Sequence, residues 1–121
     1  MIRDPVDLGY TRSTISKWRS RLFAELPYCS VCWHLYGRQR LAAHLHEGIV
    51  TRGDCQGIPF PDRLRCFADV NSYPICAECH VSPPPREWFF RLACDKYGES
   101  DVRDWYSSFW WKVPPRREFM P

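Results

Sequence analysis

Two cysteine pairs and the polar residues between them carry the chemistry that can be read from this chain. Cys29-Ser-Val-Cys32 and Cys76-Ala-Glu-Cys79 each bring two thiolates together within four residues. That is the donor geometry of a tetrahedral Zn²⁺ with S–Zn distances of about 2.3 Å. Four sulfurs close the shell and leave no position for water, so the expected zinc is structural and ties two distant parts of the chain together. Redox-active C-x-x-C pairs usually occur singly beside a βαβ pattern, which is absent here, and this favours metal over thiol exchange. Cys55, Cys66 and Cys94 lack such spacing and read as core or loop thiols; a second metal site on Cys55 and Cys66 has only weak support.

Residues 33 to 75 separate the pairs, well beyond the roughly 15–20 residues of compact two-knuckle zinc sites. This insert holds His44, His46, Glu47 and Asn71, and His80 follows directly on Cys79. Side chains able to hold a metal or move a proton are thus concentrated around one scaffold.

Taken together, Cys29, Cys32, His46-Glu47, Asn71, Cys76, Cys79 and His80 resemble the zinc-knuckle form of the HNH, or His-Me finger, endonucleases. The pattern of that family is C-x-x-C, a strand ending in a His or Asp pair, a loop, and N-x-x-x-x-C-x-x-C-H. The similarity covers residues 28 to about 82, and the aromatic helices beyond it look like those of small phage-encoded members. The resemblance implies an α+β fold: a ββα-metal finger on a four-cysteine zinc knuckle, with one N-terminal and two C-terminal flanking helices. It also implies one catalytic divalent cation, Mg²⁺, Mn²⁺, Ni²⁺ or Zn²⁺, held by His46 and His80. Two imidazoles favour the transition metals over Mg²⁺. Asn71 would orient the base or brace the loop. The implied activity is hydrolysis of phosphodiester bonds in double-stranded DNA, leaving 5′-phosphate and 3′-hydroxyl ends, with phage or host DNA-processing proteins as further partners. RNA is an alternative substrate at the same site.

Two positions depart from the family pattern. Glu47 stands where many members have the histidine base, and a carboxylate beside a divalent cation is a weaker base and a better ligand. Three assignments stay open: His46 as ligand with Glu47 as base or second ligand; His46 as base, which puts Leu45 in the ligand position; and His44 as base, on the same strand face as His46. Pro84 occupies the position where some members carry a further histidine. These departures support a rival reading, a zinc-stabilised DNA-binding or protein-binding module without catalysis.

The elements that must position these residues follow from periodicity. Residues 13–26 carry Ile15, Trp18, Leu22 and Leu26 at helical spacing, with Ser13 as N-cap and Pro27 as stop. Trp18 and Leu22 pack inward, while Lys17 and Arg21 are candidate phosphate contacts. Residues 41–50 read as a strand losing its pattern at Gly48, and 51–72 as a long irregular connection carrying Arg52, another candidate phosphate contact. Prolines 83–85 start a helix closed by Gly98. A second helix opens at Ser100, with Val102, Trp105, Tyr106, Phe109 and Trp110 in a core-facing stripe, so that residues 84–111 are helical. Residues 113–121 read as a loose basic tail, preceded by Lys112.

At 121 residues the chain has the length of one domain, spanning 1–121. Eleven prolines imply short, interrupted elements. A net charge of +3 permits nucleic-acid binding without requiring it. A polar N-terminus, an odd cysteine count and the absence of a long apolar run point to a reducing cytoplasm and away from a membrane.

Overall fold

A computed structural model describes residues 1–110 and 114–121, so Trp111, Lys112 and Val113 lie outside the described residues. It is a small α+β protein with five helices, a two-stranded sheet and a cluster of four cysteines among those residues. No described helix is long and apolar enough to cross a membrane.

Helix α1 spans Ile15–Glu25 and buries Trp18 and Leu22, the pair at i and i+4 that the apolar spacing singles out. Thr14, not Ser13, is its N-cap, and the Thr14 side chain turns back to accept from Thr11 N–H instead of capping the helix. Both cysteine knuckles open helices. Helix α2, Ser30–Tyr36, has Cys29 as its N-cap, whose Sγ accepts from Cys32 N–H. Gly37 ends it at φ 64°, a left-handed conformation that glycine adopts without penalty. Helix α3, Ala77–Val81, begins one residue after Cys76 and carries His80 in its last turn.

Strand β1 is His44–Glu47, shorter than the expected 41–50, and pairs antiparallel with β2, Ser72–Ile75. His46 lies opposite Tyr73 and Glu47 opposite Ser72. Two contacts account for the short strand. On one side, Leu41 makes only an isolated bridge to Tyr28. On the other, Ile49 and Val50 turn inward to full burial because the Asn71 side chain, not a neighbouring strand, takes their N–H groups. Gly48 permits this turn: a Cβ there would sit 2.5–2.8 Å from the Phe89 side chain. Gly48→Ala is therefore expected to destabilise the fold by about 1–3 kcal/mol through overpacking, read as a lowered urea midpoint with zinc bound.

The connection 51–71 is irregular at first and then forms two 3₁₀ turns, Asp62–Phe67 and Asp69–Asn71. Helix α4, Arg86–Tyr97, and helix α5, Glu99–Ser107, share Gly98 at their junction. Val102, Trp105, Tyr106 and Phe109 are buried, so the aromatic stripe packs into the core and does not present a stacking surface.

The C-terminal segment corrects the expected loose tail. Phe119 is buried, stacked on Phe90 with ring centroids 4.3 Å apart and set edge-on to Tyr106. Arg103 donates to the carbonyls of Glu118 and Met120, and the Tyr106 hydroxyl accepts from Arg116 N–H. An aromatic residue close to the end of the chain thus finishes the core between α4 and α5.

Candidate functional site

The four cysteines meet across the molecule, with their sulfurs all within 4.8 Å of one another. Cys32 Sγ lies 3.9 Å from Cys76 Sγ and 3.8 Å from Cys79 Sγ. A tetrahedron with metal–sulfur distances of about 2.3 Å has edges of about 3.8 Å, so the donor set fits a structural zinc. Burial pushes the Cys32 and Cys79 thiols up. Burial also opposes ionisation of Cys76, but hydrogen bonds from the Cys79 backbone and the neighbouring thiols bring it down to about 7. Among the described residues this is the assembled group of three or more metal-ligating side chains.

The cluster holds α3 against β1, and three histidines gather there. His80 from α3 stacks on His44 with centroids 4.3 Å apart and planes inclined by 18°. His46, two residues along the same strand face, meets His80 edge-on at 6.0 Å and 79°. The angles separate their possible roles, because an imidazole lone pair lies in the ring plane. Nearly parallel rings send their lone pairs along parallel lines and cannot close on one cation, whereas perpendicular rings can converge. The perpendicular planes of His46 and His80 are compatible with a shared ion, and the stacked planes of His44 and His80 are not. His46 is half-buried against Phe89, at 5.1 Å. Burial lowers its pKa; Glu47 opposes that shift and His80 adds to it, which favours the neutral imidazole that a metal requires.

A cleft of about 510 Å³ opens beside this cluster, lined by Arg19, His44, Glu47, Arg52 and His80 among others. His46 does not line it; the strand places His46 on the Phe89 side and Leu45 and Glu47 on the cleft side. Glu47 is not presented to solvent as a base. Its Oε1 accepts from Arg19 Nη1 at 2.7 Å and from Arg52 Nε at 3.1 Å. Both guanidiniums also rest on the Phe67 ring, at 5.0 and 5.1 Å, and the Phe67 carbonyl accepts from the Trp18 indole N–H. The segment bearing Arg52 is held in turn: Thr51 and Asp54 exchange backbone–side-chain hydrogen bonds, and Arg86 Nη1 lies 2.7 Å from Asp54 Oδ2. Two guanidiniums against one carboxylate leave this wall of the cleft with an excess of positive charge.

Asn71 lies away from the histidines and braces the loop. Fully buried, its Oδ1 accepts from the N–H groups of Ile49 and Val50, and its Nδ2 donates to the carbonyls of Val50 and Cys66. All four hydrogen-bonding positions of the amide are used. Asn71→Ala strands two donors and two acceptors in the interior and is expected to cost about 3–5 kcal/mol, measured as the loss of urea unfolding free energy with zinc present.

Of the three expected phosphate contacts, Arg52 reaches the cleft. Lys17 and Arg21 are exposed on another flank of α1 and do not line it. Arg19, on that same helix, does. Helical phase shows that Arg19 and Phe23 share a face distinct from that of Lys17 and Arg21, but only the tertiary contact with Glu47 reveals which face meets the site. Comparison with protein-family models, curated proteins and solved structures finds no match to this chain.

Proposed function

We propose that the chain is a metal-dependent endonuclease of the HNH, ββα-metal kind, acting on phosphodiester bonds of DNA. The observation carrying this reading is that His44 and His80, from β1 and α3, line an arginine-bearing cleft, with His46 edge-on to His80 from the Phe89 side. β1, β2 and α3 follow one another in the order of a ββα finger, and zinc on the four-cysteine cluster would hold α3 in place.

His46 and His80 would hold the catalytic cation. Once bound, it supplies Lewis-acid charge at the departing 3′-oxygen and orients the phosphate for in-line attack. Arg19 and Arg52 neutralise the non-bridging phosphate oxygens, and Glu47 holds the two guanidiniums in place. His44 is then the general base. It is exposed, borders the cleft and stacks on His80 in a nearly parallel plane, so it does not close on the same cation and its imidazole nitrogen can take the proton of the attacking water. This moves the base from Glu47, the position suggested by the family pattern, to His44.

The test is supercoiled plasmid incubated with zinc-loaded protein and Mn²⁺ or Mg²⁺. Nicked or linear product carrying 5′-phosphate ends, stopped by chelator and absent for His80→Ala, supports the reading. Equal cleavage by wild type and His80→Ala would refute it.

The Glu47 ion pairs also favour a second reading, a zinc-stabilised DNA-binding module, since a carboxylate tied to two arginines is not available as a base. That reading predicts salt-sensitive DNA binding and no cleavage with any divalent cation.

A further inference from the structure

A second hollow, of about 360 Å³, adjoins the cleft and shares Arg52 with it. Arg12, Phe60 and Arg63 form its outer part, and the thiols of Cys55 and Cys66 lie deeper. Its described lining contains three guanidiniums and no carboxylate.

The arrangement of these groups is ordered. Phe60, 42 % exposed, has the Arg12 guanidinium 5.1 Å and the Arg63 guanidinium 4.5 Å from its ring centroid. Arg63 is fixed by donating from Nε to the Ile58 carbonyl at 2.8 Å and from Nη2 to the Gln56 carbonyl at 3.0 Å. Carbonyl acceptors orient a guanidinium but do not neutralise it. Arg12 has no hydrogen bond or ion pair among the described residues, and the exposed phenyl ring is what it rests on. Arg52 is paired with Glu47, and elsewhere Arg3, Arg40, Arg65, Arg86, Arg103 and Arg116 each face a carboxylate, so Arg12 and Arg63 are the two cations of this hollow without one among the described residues. Like charges gathered at one hollow repel unless an anion enters.

We propose that this Arg12–Phe60–Arg63 platform is a docking site for the phosphate backbone of duplex DNA, continuing the track that begins at the cleft. A small anion would fill one hollow. Two contiguous hollows joined by Arg52 suit a polymer that carries phosphates at regular intervals, and Phe60 serves as the support that keeps the two outer guanidiniums apart and aimed outward. The identity of the polymer rests on the nuclease reading, whereas the binding itself does not require catalysis.

The experiment separates the two. Binding of a fluorescein-labelled duplex is followed by anisotropy across a KCl series, without divalent cation, using zinc-loaded His80→Ala protein. Adding Arg12→Gln and Arg63→Gln should weaken binding and flatten the slope of log K against log [KCl] by about 1.8, at about 0.9 for each B-DNA phosphate no longer neutralised. Arg12→Gln breaks no hydrogen bond. Arg63→Gln removes two, so Arg63→Lys, which restores charge, should recover most of the slope contributed by that position. In otherwise wild-type protein, Arg12→Gln with Arg63→Gln should leave hydrolysis of bis(p-nitrophenyl) phosphate unchanged, because this small diester reaches only the cleft. Unchanged affinity and slope in a double variant that keeps its zinc and melting temperature would overturn the proposal. So would tighter binding of single-stranded RNA than of duplex DNA. A reduced slope in a protein that cleaves nothing with any cation would uphold the platform and reject the nuclease.

Discussion

Stripping the metal from the four-cysteine cluster is expected to unfold this chain. The ligands come from either end of the 33–75 excursion, and the same sulfurs belong to the core that includes Val31, Ile75 and Phe89. Structural zinc contributes about 10–16 kcal/mol of apparent binding free energy in small zinc domains. The net stability of a domain is about 5–15 kcal/mol. Without its zinc the chain must therefore fall to marginal stability or below. Three buried sulfurs and the partly buried Cys79 would also be left in close contact without a cation, and β1 would lose the support that keeps α3 beside it. Circular dichroism during thermal melting should show a cooperative transition with one zinc per chain and its loss after chelation at raised temperature. Cys76→Ser should behave like the stripped protein. An unchanged transition after complete zinc removal would show that the core stands without the cluster and would take away the scaffold on which the site depends.

The second large effect is catalytic. His80→Ala removes one of the two side chains proposed to hold the catalytic cation, and His80 lies in the last turn of a five-residue helix with its side chain exposed. Cleavage of plasmid should fall at least about 100-fold, while zinc content and melting temperature stay near those of wild type. His44→Ala should lower the rate by about 10²–10⁴-fold, the range for a general base. Glu47→Gln distinguishes the two base assignments. If His44 takes the proton, this variant retains cleavage within about tenfold of wild type, because the neutral amide can still accept from Arg19 and Arg52. If Glu47 is the base, it falls as far as His44→Ala was expected to fall, and His44→Ala does not.

Local pattern carried a good part of this. Cysteine spacing alone predicted which four residues assemble, and the 3.6-residue periodicity of Trp18 and Leu22, and of Val102, Trp105 and Tyr106, predicted which helix faces are buried. The placement of Asn71 ahead of the second knuckle pointed to a structural or catalytic duty, and its four hydrogen bonds identify the structural one.

Long-range contacts were not legible. Nothing in the spacing of Arg19 and Glu47, or of Arg52 and Phe67, indicates that they form one cluster, since the contact depends on how α1 lies across the sheet. For the same reason Lys17 and Arg21 could not be told from Arg19 as cleft residues. Phe119 likewise looks like part of a polar tail until Phe90 is found beneath it. Strand length failed for a different reason: residues 41–50 read as a strand losing its pattern only at Gly48, but a side-chain amide outcompeted any neighbouring strand for the Ile49 and Val50 N–H groups.

The central claim is that one cation is shared by His46 and His80. Crystals of the zinc-loaded protein soaked in Mn²⁺ and measured at the manganese absorption edge test it most directly. The account predicts one anomalous peak within about 2–3 Å of a ring nitrogen of each histidine, separate from the cysteine cluster, and absent in His46→Ala and His80→Ala crystals. Manganese bound elsewhere, or touching neither imidazole at saturating concentration, would contradict it.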